Sequence, residues 1–144
     1  MSIVELLGSK VQGKEGEVAV ESFCGEGKYV GLYFSAHWCP PCRGFTPVLA
    51  DFYKNMNSKK AGMLEIVFIS SDRDQKSFDD YFAEMPWKAL SFSDRERKAS
   101  LSEHFEIDGI PTFVLLNAKD GSIIIPDANE NVMEDTSGEK FPWK

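Results

Sequence analysis

The chain has 144 residues, of which 27% are charged, and a formal net charge of −7. Its length predicts one domain spanning residues 1–144, and its composition is that of a globular protein rather than a disordered or fibrous one. The negative charge argues against unspecific binding to nucleic acid or to an anionic membrane surface. No apolar run approaches the ~20 residues that a membrane span requires.

The first predicted elements lead directly to a pair of cysteines. A turn signal at residues 13–16 predicts a β-hairpin at about residues 10–20. Residues 28–36 form an apolar run rich in β-formers, which predicts a buried strand. Apolar residues at helical spacing follow from Phe45 onward, so Cys39 and Cys42 are expected where the strand passes into a helix.

The rest of the chain alternates between strand and helix signals. The predicted strands cover residues 64–70, 112–116 and 122–125. One predicted helix follows a capping-type turn at residues 71–74 and is marked by Phe78, Tyr81, Phe82 and Met85, and another begins near Asp94. This alternation predicts an α/β fold with a central sheet between helices, with its core at about residues 28–125. Residues 126–144 are expected to be mostly coil that docks through Phe141 and Trp143.

Cysteine usage favours redox chemistry over a structural role. The three cysteines are an odd set, which does not suggest a disulfide framework. One C-x-x-C, one further cysteine and two histidines are a poor ligand set for zinc, so no metal site is predicted. The N-terminus lacks the features of a signal peptide, so the expected location is the cytoplasm, or the nucleus as well. A C-x-x-C in a cytosolic α/β protein is more often redox-active.

The spacing and position of the pair suit a redox couple. Residues three apart on a helix share a face, and a disulfide closing so short a loop adds little stability. If Cys39 is the N-cap, Pro40 takes the first helical position without loss, and Pro41 removes one more donor. The amides of Cys42 and Arg43 are then the first that can face the Cys39 sulfur and, with the helix dipole, favour its thiolate. The Arg43 side chain either adds positive charge or points to solvent.

The expected mechanism is thiol–disulfide exchange. Trp38 can shield one side of the Cys39 sulfur while leaving it open to a partner, and Cys42 should be more buried. The Cys39 thiolate, with a predicted pKa in the upper half of ~3.5–7.5, attacks a partner disulfide, and Cys42 resolves the mixed disulfide. No metal, flavin or nucleotide is needed, so no cofactor is predicted.

Residues 31–47, G-L-Y-F-S-A-H-W-C-P-P-C-R-G-F-T-P, closely resemble the active-site stretch of the tryparedoxins and nucleoredoxins. Three further segments resemble the same family at matching spacing: residues 81–87, 109–112 and 141–143. The resemblance implies a thioredoxin-like fold with a mixed central sheet, an N-terminal hairpin and protein-disulfide reductase activity. It also implies that Pro111, preceded by Ile110, is a cis-proline facing the disulfide.

Two departures from related proteins matter. Ordinary thioredoxin has a buried aspartate six residues before its nucleophile, and this chain has Tyr33 there, as in tryparedoxins. Proton handling for Cys42 then falls to Tyr33, to water or to neither. Tryparedoxins carry W-D-E-E where this chain has S-S-D-R at residues 70–73. This difference favours a nucleoredoxin-like relative and puts trypanothione in doubt as the reductant.

The resemblance also implies partners. The expected substrates are oxidised proteins, either peroxiredoxin-type peroxidases or signalling proteins, and the electrons come from a thiol or a thioredoxin-reductase-like donor. A second hypothesis is a redox-sensitive protein-binding module, in which the redox state of the cysteines controls the affinity for a signalling partner. A third, a disulfide isomerase of a secretory compartment, is disfavoured because no signal peptide is recognisable.

Other residues receive weaker predictions. Cys24 is interpreted as a small structural residue rather than a regulatory thiol, and His104 as a surface or boundary residue. His37 either tunes the charge of Cys39 or is simply solvated. Asp72 and Arg73 are predicted to cap a helix. The aromatic residues predicted to form the core and the wall near the active site are Phe78, Tyr81, Phe82 and Trp87.

Overall fold

A computed structural model describes residues 2–143, and its N-terminal part combines a helix with a hairpin. The first elements are α1 (Ile3–Leu7), β1 (Lys10–Gly13), β2 (Gly16–Ala19) and a 3-10 helix (Val20–Phe23). The antiparallel pairing of β1 with β2 confirms the predicted hairpin. The sequence prediction lacked α1 and the 3-10 helix, since elements of five and four residues are too short to show a helical period.

The remaining elements alternate much as predicted: β3 (Tyr29–Ser35), α2 (Pro40–Lys59), β4 (Leu64–Ser70), α3 (Gln75–Phe82), β5 (Lys88–Ala89), α4 (Arg95–His104), β6 (Thr112–Asn117), β7 (Ile123–Ile125) and α5 (Asn129–Glu134). Within residues 2–143, the strands form one seven-stranded sheet in the order β2-β1-β5-β4-β3-β6-β7. Strand β3 is parallel to β4 and antiparallel to β6, so the predicted mixed sheet is confirmed.

The short strand β5 joins the hairpin to the rest of the sheet. It pairs in parallel with β4 and, through Ala89, antiparallel with Gln12 of β1. The sequence prediction lacked β5, because a two-residue strand carries no periodic signal and exists only through its neighbours. The hairpin is therefore an extension of the central sheet.

The sheet is covered on both faces. On β3, Tyr33 belongs to one buried cluster, with Phe52 and Phe68, while Leu32 belongs to a second cluster, with Leu101 of α4. Burial on both faces explains why residues 28–36 form a continuous apolar run. No helix in residues 2–143 is long and apolar enough to cross a membrane.

Close packing at the centre of the sheet depends on one glycine. A Cβ at Gly31 of β3 would collide with the ring of Phe113 on the neighbouring strand β6. The Phe113 side chain, with no exposed surface, therefore lies directly over the backbone of β3. This contact holds together the two strands that precede the cysteines and follow Pro111.

The C-terminal region differs in part from the prediction. Residues 129–134 form helix α5, where coil was expected, because Val132 buries itself completely in the core beside α2. The predicted aromatic docking is confirmed. The Phe141 ring lies edge-on to Tyr29 with a centroid distance of 4.8 Å, and the Trp143 ring stacks on Phe52 at 5.3 Å.

Candidate functional site

Cys39 and Cys42 form a disulfide where β3 passes into α2. Cys39 is the N-cap of α2 and Pro40 is its first residue, as predicted from the sequence. The two Cα atoms are 5.2 Å apart. Cys39 is 5% exposed and Cys42 is completely buried, so the first cysteine is the one nearer the surface.

One backbone amide reaches the Cys39 sulfur. The Cys42 N–H donates to Cys39 Sγ over 3.3 Å. The prediction that the Arg43 amide also faces this sulfur is wrong, because that N–H donates to the Cys39 carbonyl oxygen over 3.1 Å. The α-helical pattern explains the difference, since each amide pairs with the carbonyl four residues earlier. The Arg43 side chain is exposed, so of its two alternatives it points to solvent.

Trp38 forms the exposed side of the site. Its side chain is 50% exposed, and its indole Nε1–H donates to the carbonyl oxygen of Ser71 over 3.0 Å. The guanidinium of Arg73 lies 5.3 Å from the centre of the indole ring. The loop after β4 therefore holds Trp38 beside Cys39.

The loop before β6 lies on the other side of the disulfide. The Ile110–Pro111 peptide bond is cis, as the resemblance implied. Ile110 packs against the two cysteines, and its carbonyl oxygen lies 3.9 Å from Cys39 Sγ. A surface cavity of about 530 Å³ borders this loop and is lined in part by Pro111 and Asp127.

A network of hydroxyl groups lies beneath the first turn of α2. The Tyr33 hydroxyl is 3.2 Å from the carbonyl oxygen of Cys42 and 2.7 Å from Thr46 Oγ1. Thr46 shares a 2.6 Å hydrogen bond with the hydroxyl of Tyr81, which in turn shares one of 2.7 Å with Ser35. Sequence reasoning missed Thr46 and Ser35, although the spacing of Thr46 from Cys42 places both on one helix face.

Tyr33 remains protonated within this network. Burial, and then the neighbouring Tyr81, raise the pKa of Tyr33 far above its ordinary value, so its hydroxyl keeps its proton. Its nearest partner on the redox pair is a backbone carbonyl rather than the Cys42 sulfur. The Tyr33 hydroxyl therefore helps to hold the start of α2 in place. Among residues 2–143, it makes no hydrogen bond to the Cys42 sulfur through which it could exchange a proton directly.

The prediction that Asp72 caps a helix is wrong. Asp74 is the N-cap of α3, because its side chain accepts the Ser77 N–H over 2.8 Å. Asp72 is 5% exposed and accepts the backbone N–H of His37 over 2.7 Å. Arg73 is also not the cap and lies by Trp38 instead. The contact of Asp72 with His37 joins residues 35 positions apart, which no local pattern reveals.

His37 is packed rather than simply solvated. Its ring stacks on that of Tyr81, with centroids 5.1 Å apart and an angle of 11° between the planes. Its Nε2 atom lies 3.7 Å from a carboxylate oxygen of Glu84. Tyr81 therefore links this half-buried histidine to the hydroxyl network. The aromatic residues predicted as core are all buried: Phe78, Tyr81, Phe82 and Trp87.

The other candidate residues lie away from the pair. Cys24 is a half-buried free thiol whose S–H donates to the Val20 carbonyl oxygen over 3.2 Å, consistent with a structural role. His104 is exposed and lies edge-on to Phe105. Among residues 2–143, no group of three or more His, Cys, Asp or Glu side chains is placed to hold a metal ion.

Comparison with known proteins gives consistent matches. A family model described as thioredoxin-like matches residues 27–123. The chain is 48% identical to tryparedoxin of Trypanosoma brucei brucei over 130 residues, which cover 90% of this chain and 88% of that protein. It is 44% identical to human nucleoredoxin over 126 residues, covering 87% of this chain but 28% of that longer protein. These identities of 48% and 44% are too similar to assign the chain to the tryparedoxins rather than to the nucleoredoxins.

A solved structure extends the match to the fold. The structure of tryparedoxin II in complex with glutathionylspermidine has 42% sequence identity to this chain and a TM-score of 0.85. The match covers 94% of this chain and 91% of that one.

Proposed function

Because the chain belongs to the thioredoxin-like family that includes the tryparedoxins and nucleoredoxins, we propose that it reduces disulfide bonds in other proteins through Cys39. It is a thiol–disulfide oxidoreductase of this family, and Cys39 and Cys42 fit the redox-active pair. The observation that carries the proposal is the hydrogen bond from the Cys42 N–H to Cys39 Sγ at the start of α2. This donor and the helix dipole favour the thiolate, which is the attacking form.

The reaction exchanges sulfur–sulfur bonds. The Cys39 thiolate attacks one sulfur of the partner disulfide, whose bond breaks and releases the other sulfur as a thiolate. Cys42 then loses its proton to solvent and attacks Cys39 Sγ, which breaks the mixed disulfide and releases the second partner thiolate. Both released sulfurs take up protons from water. The partner gains two electrons, and the Cys39–Cys42 pair loses two.

The order of attack follows from burial. Cys39 retains 5% exposure beside Trp38 and the Ile110–Pro111 loop, whereas Cys42 has none. Only Cys39 can therefore meet a partner sulfur, and Cys42 is placed to resolve. The electrons pass from sulfur to sulfur, so the proposal requires no cofactor.

The proposed partners are oxidised proteins and a thiol donor. The acceptors are peroxiredoxin-type peroxidases or signalling proteins, and a small thiol or a thioredoxin-reductase-like protein supplies the electrons. A small thiol is supported by the related tryparedoxin II, whose structure is a complex with glutathionylspermidine. The proposed location is the cytoplasm, and the nucleus as well, where reducing conditions keep Cys24 and the pair as thiols.

The proposal is tested by reduction of insulin with dithiothreitol as the electron source. Cys39→Ser should lower the catalysed rate about a hundredfold or more, because it removes the attacking sulfur. The matched control is Cys24→Ser, the same change at a cysteine far from the site, which should keep the parent rate. A Cys39→Ser protein that reduces insulin as fast as the parent would end the proposal.

A redox-sensitive binding module is a second candidate. The observation that favours it is the 50% exposure of Trp38, a large aromatic side chain next to the disulfide. Oxidation or reduction of the pair would change the surface beside this residue and so alter the affinity for a bound protein. A pull-down with the oxidised and the reduced chain tests this candidate, and equal capture by both forms would count against it.

A further inference from the structure

Asp72 is the only charged side chain among residues 2–143 that is buried, at 5% exposure. Burying a carboxylate is costly unless its charge is compensated by hydrogen bonds or by an opposite charge. Asp72 lies in the loop after β4, which contacts the loop that carries Cys39.

Hydrogen bonds tie the two loops together. Asp72 Oδ1 accepts the His37 N–H over 2.7 Å, and Oδ2 accepts the Ser70 hydroxyl over 2.7 Å. The next residue back, Ser71, accepts the indole N–H of Trp38 over 3.0 Å. The backbone just before Cys39 is therefore held from two points of the same loop.

Arg95 is a positively charged residue that feels the charge of this carboxylate, yet its hydrogen bonds go to other groups. Arg95 donates through Nη1 to the Ser70 carbonyl oxygen over 2.9 Å and through Nε to that of Phe92 over 2.6 Å. Its Nη2 is buried and has no hydrogen-bond partner among residues 2–143. Burial lowers the pKa of Arg95, while the charge of Asp72 acts in the opposite direction. The charge of Asp72 therefore acts on Arg95, but no ion pair joins the two side chains among residues 2–143.

We propose that Asp72 is a positioning residue for Cys39 whose negative charge also opposes formation of the Cys39 thiolate. The amide that it binds is that of His37, two residues before Cys39, so the Cα atoms of His37 and Cys39 are at most about 7 Å apart. At a partly buried site, neighbouring charges interact more strongly than in water, and like charges disfavour each other. The inference rests on the proposed role of Cys39 as the attacking sulfur.

The other charged groups around Cys39 are less shielded from solvent. Arg43, Arg73 and Glu84 are exposed, and His37 is half-buried. Water and salt screen exposed charges, so their influence on the sulfur is weaker than that of a buried carboxylate. Among these groups, Asp72 is expected to have the largest effect on the ionisation of Cys39.

The experiment separates charge from hydrogen bonding. Asp72→Asn removes the charge but keeps an oxygen that can accept the His37 N–H, and Asp72→Ala removes both. Asp74→Asn is the matched control, since it makes the same change two residues on, at an exposed N-cap where asparagine serves as well as aspartate. In each reduced protein, the pH dependence of Cys39 alkylation by iodoacetamide is followed by mass spectrometry, and the reduction potential is measured against glutathione.

Asp72→Asn should lower the pKa of Cys39 by about half to one unit, and so speed its alkylation about three- to tenfold below that pKa. A more stable thiolate stabilises the reduced form of the pair, so the reduction potential should become less negative. The expected change is about 30 mV for each tenfold change in the equilibrium constant with glutathione. Asp74→Asn should leave both unchanged. An Asp72→Asn shift no larger than that of Asp74→Asn would overturn the role of the charge.

Insulin reduction tests the positioning role. Asp72→Ala should lower kcat/KM about tenfold, while Asp72→Asn stays within about threefold of the parent. Equal losses in the two variants would overturn the role of the His37 hydrogen bond, and Asp72→Asn remains informative if the alanine variant does not fold. These results are distinct from failure of the proposed function, which would appear as an inert Cys39 in the parent protein.

Discussion

Two cysteines of this chain lie at opposite ends of helical segments, and their surroundings differ accordingly. Cys39 precedes α2, and its sulfur accepts a hydrogen bond from the Cys42 N–H. Cys24 follows the 3-10 helix, and its S–H donates to the Val20 carbonyl oxygen. A helix start presents N–H groups and a helix end presents carbonyl groups. The end at which a cysteine lies therefore decides whether its neighbours stabilise the thiolate or the thiol.

The electrostatic difference agrees with this geometry. Burial, followed by the nearby negative charge of Glu21, raises the pKa of Cys24 above its ordinary value. At the start of α2, the helix dipole and the Cys42 amide act in the opposite sense on Cys39. One residue type thus serves as a small packed side chain in one place and as the proposed nucleophile in the other.

The largest expected effect separates the two members of the redox pair. Cys42→Ser should lower insulin turnover about a hundredfold when the electron donor is limiting, because the mixed disulfide on Cys39 is no longer resolved. The variant should accumulate covalent adducts when it is incubated with cell lysate, and mass spectrometry of these adducts identifies the substrates. Cys24→Ser, as the control, should turn over normally and trap nothing. Normal turnover by Cys42→Ser would remove Cys42 from the mechanism.

A smaller effect tests the contrast between the helix start and the helix end. At pH 7, iodoacetamide should alkylate Cys39 of the reduced protein at least about tenfold faster than Cys24, because only the thiolate reacts. The ratio should fall as the pH rises toward 10, since Cys24 then ionises as well. Mass spectrometry of the two cysteine peptides over a pH series measures both rates.

The control for this prediction is the same reaction in concentrated urea. Unfolding removes both helical segments, so Cys39 and Cys24 should then react at similar rates. If the two cysteines already react alike at pH 7 in the folded protein, the proposed effect of helix position is wrong.

Tyr33→Phe tests whether the hydroxyl network beneath the first turn of α2 stabilises the fold without acting on Cys39. It should lower the free energy of unfolding by about 1–2 kcal/mol, because it removes one member of a buried hydroxyl network. The pH profile of Cys39 alkylation should not move, since the hydroxyl contacts the Cys42 carbonyl oxygen rather than a sulfur. Urea denaturation and the alkylation series measure the two quantities.

The matched control for Tyr33→Phe is Tyr29→Phe on the same strand. The Tyr29 hydroxyl makes no hydrogen bond within residues 2–143, so its removal should have little effect on stability. A shift in the alkylation profile with Tyr33→Phe alone would instead assign Tyr33 a part in the ionisation of the pair.

The smallest expected effect concerns Cys24 itself. Cys24→Ala should change the free energy of unfolding by less than about 1 kcal/mol and leave insulin reduction unchanged, because it removes one weak hydrogen bond at a half-buried position. Urea denaturation and the turnover rate check this outcome. A large loss of turnover would show that Cys24 takes part in the reaction and is more than a packed side chain.

The amino-acid sequence by itself determined the parts of the structure that depend on neighbouring residues. The apolar run at residues 28–36, the helical spacing after Phe45 and the C-P-P-C between them place Cys39 at the N-cap of α2, as the structure has it. The hairpin and most of the α/β order follow from similar local patterns. The resemblance of residues 31–47 to a known family added the cis-proline at position 111.

Only the tertiary structure decided the contacts between segments that are distant in the chain. Strand β5 exists through its partners in β1 and β4, and α5 forms where Val132 reaches the core. Asp72 resembled a helix cap in the sequence, yet its carboxylate binds the backbone of His37, 35 positions away. Local signals report the conformation of a short segment, whereas these contacts depend on which distant strands, apolar side chains and polar groups the folded chain brings together.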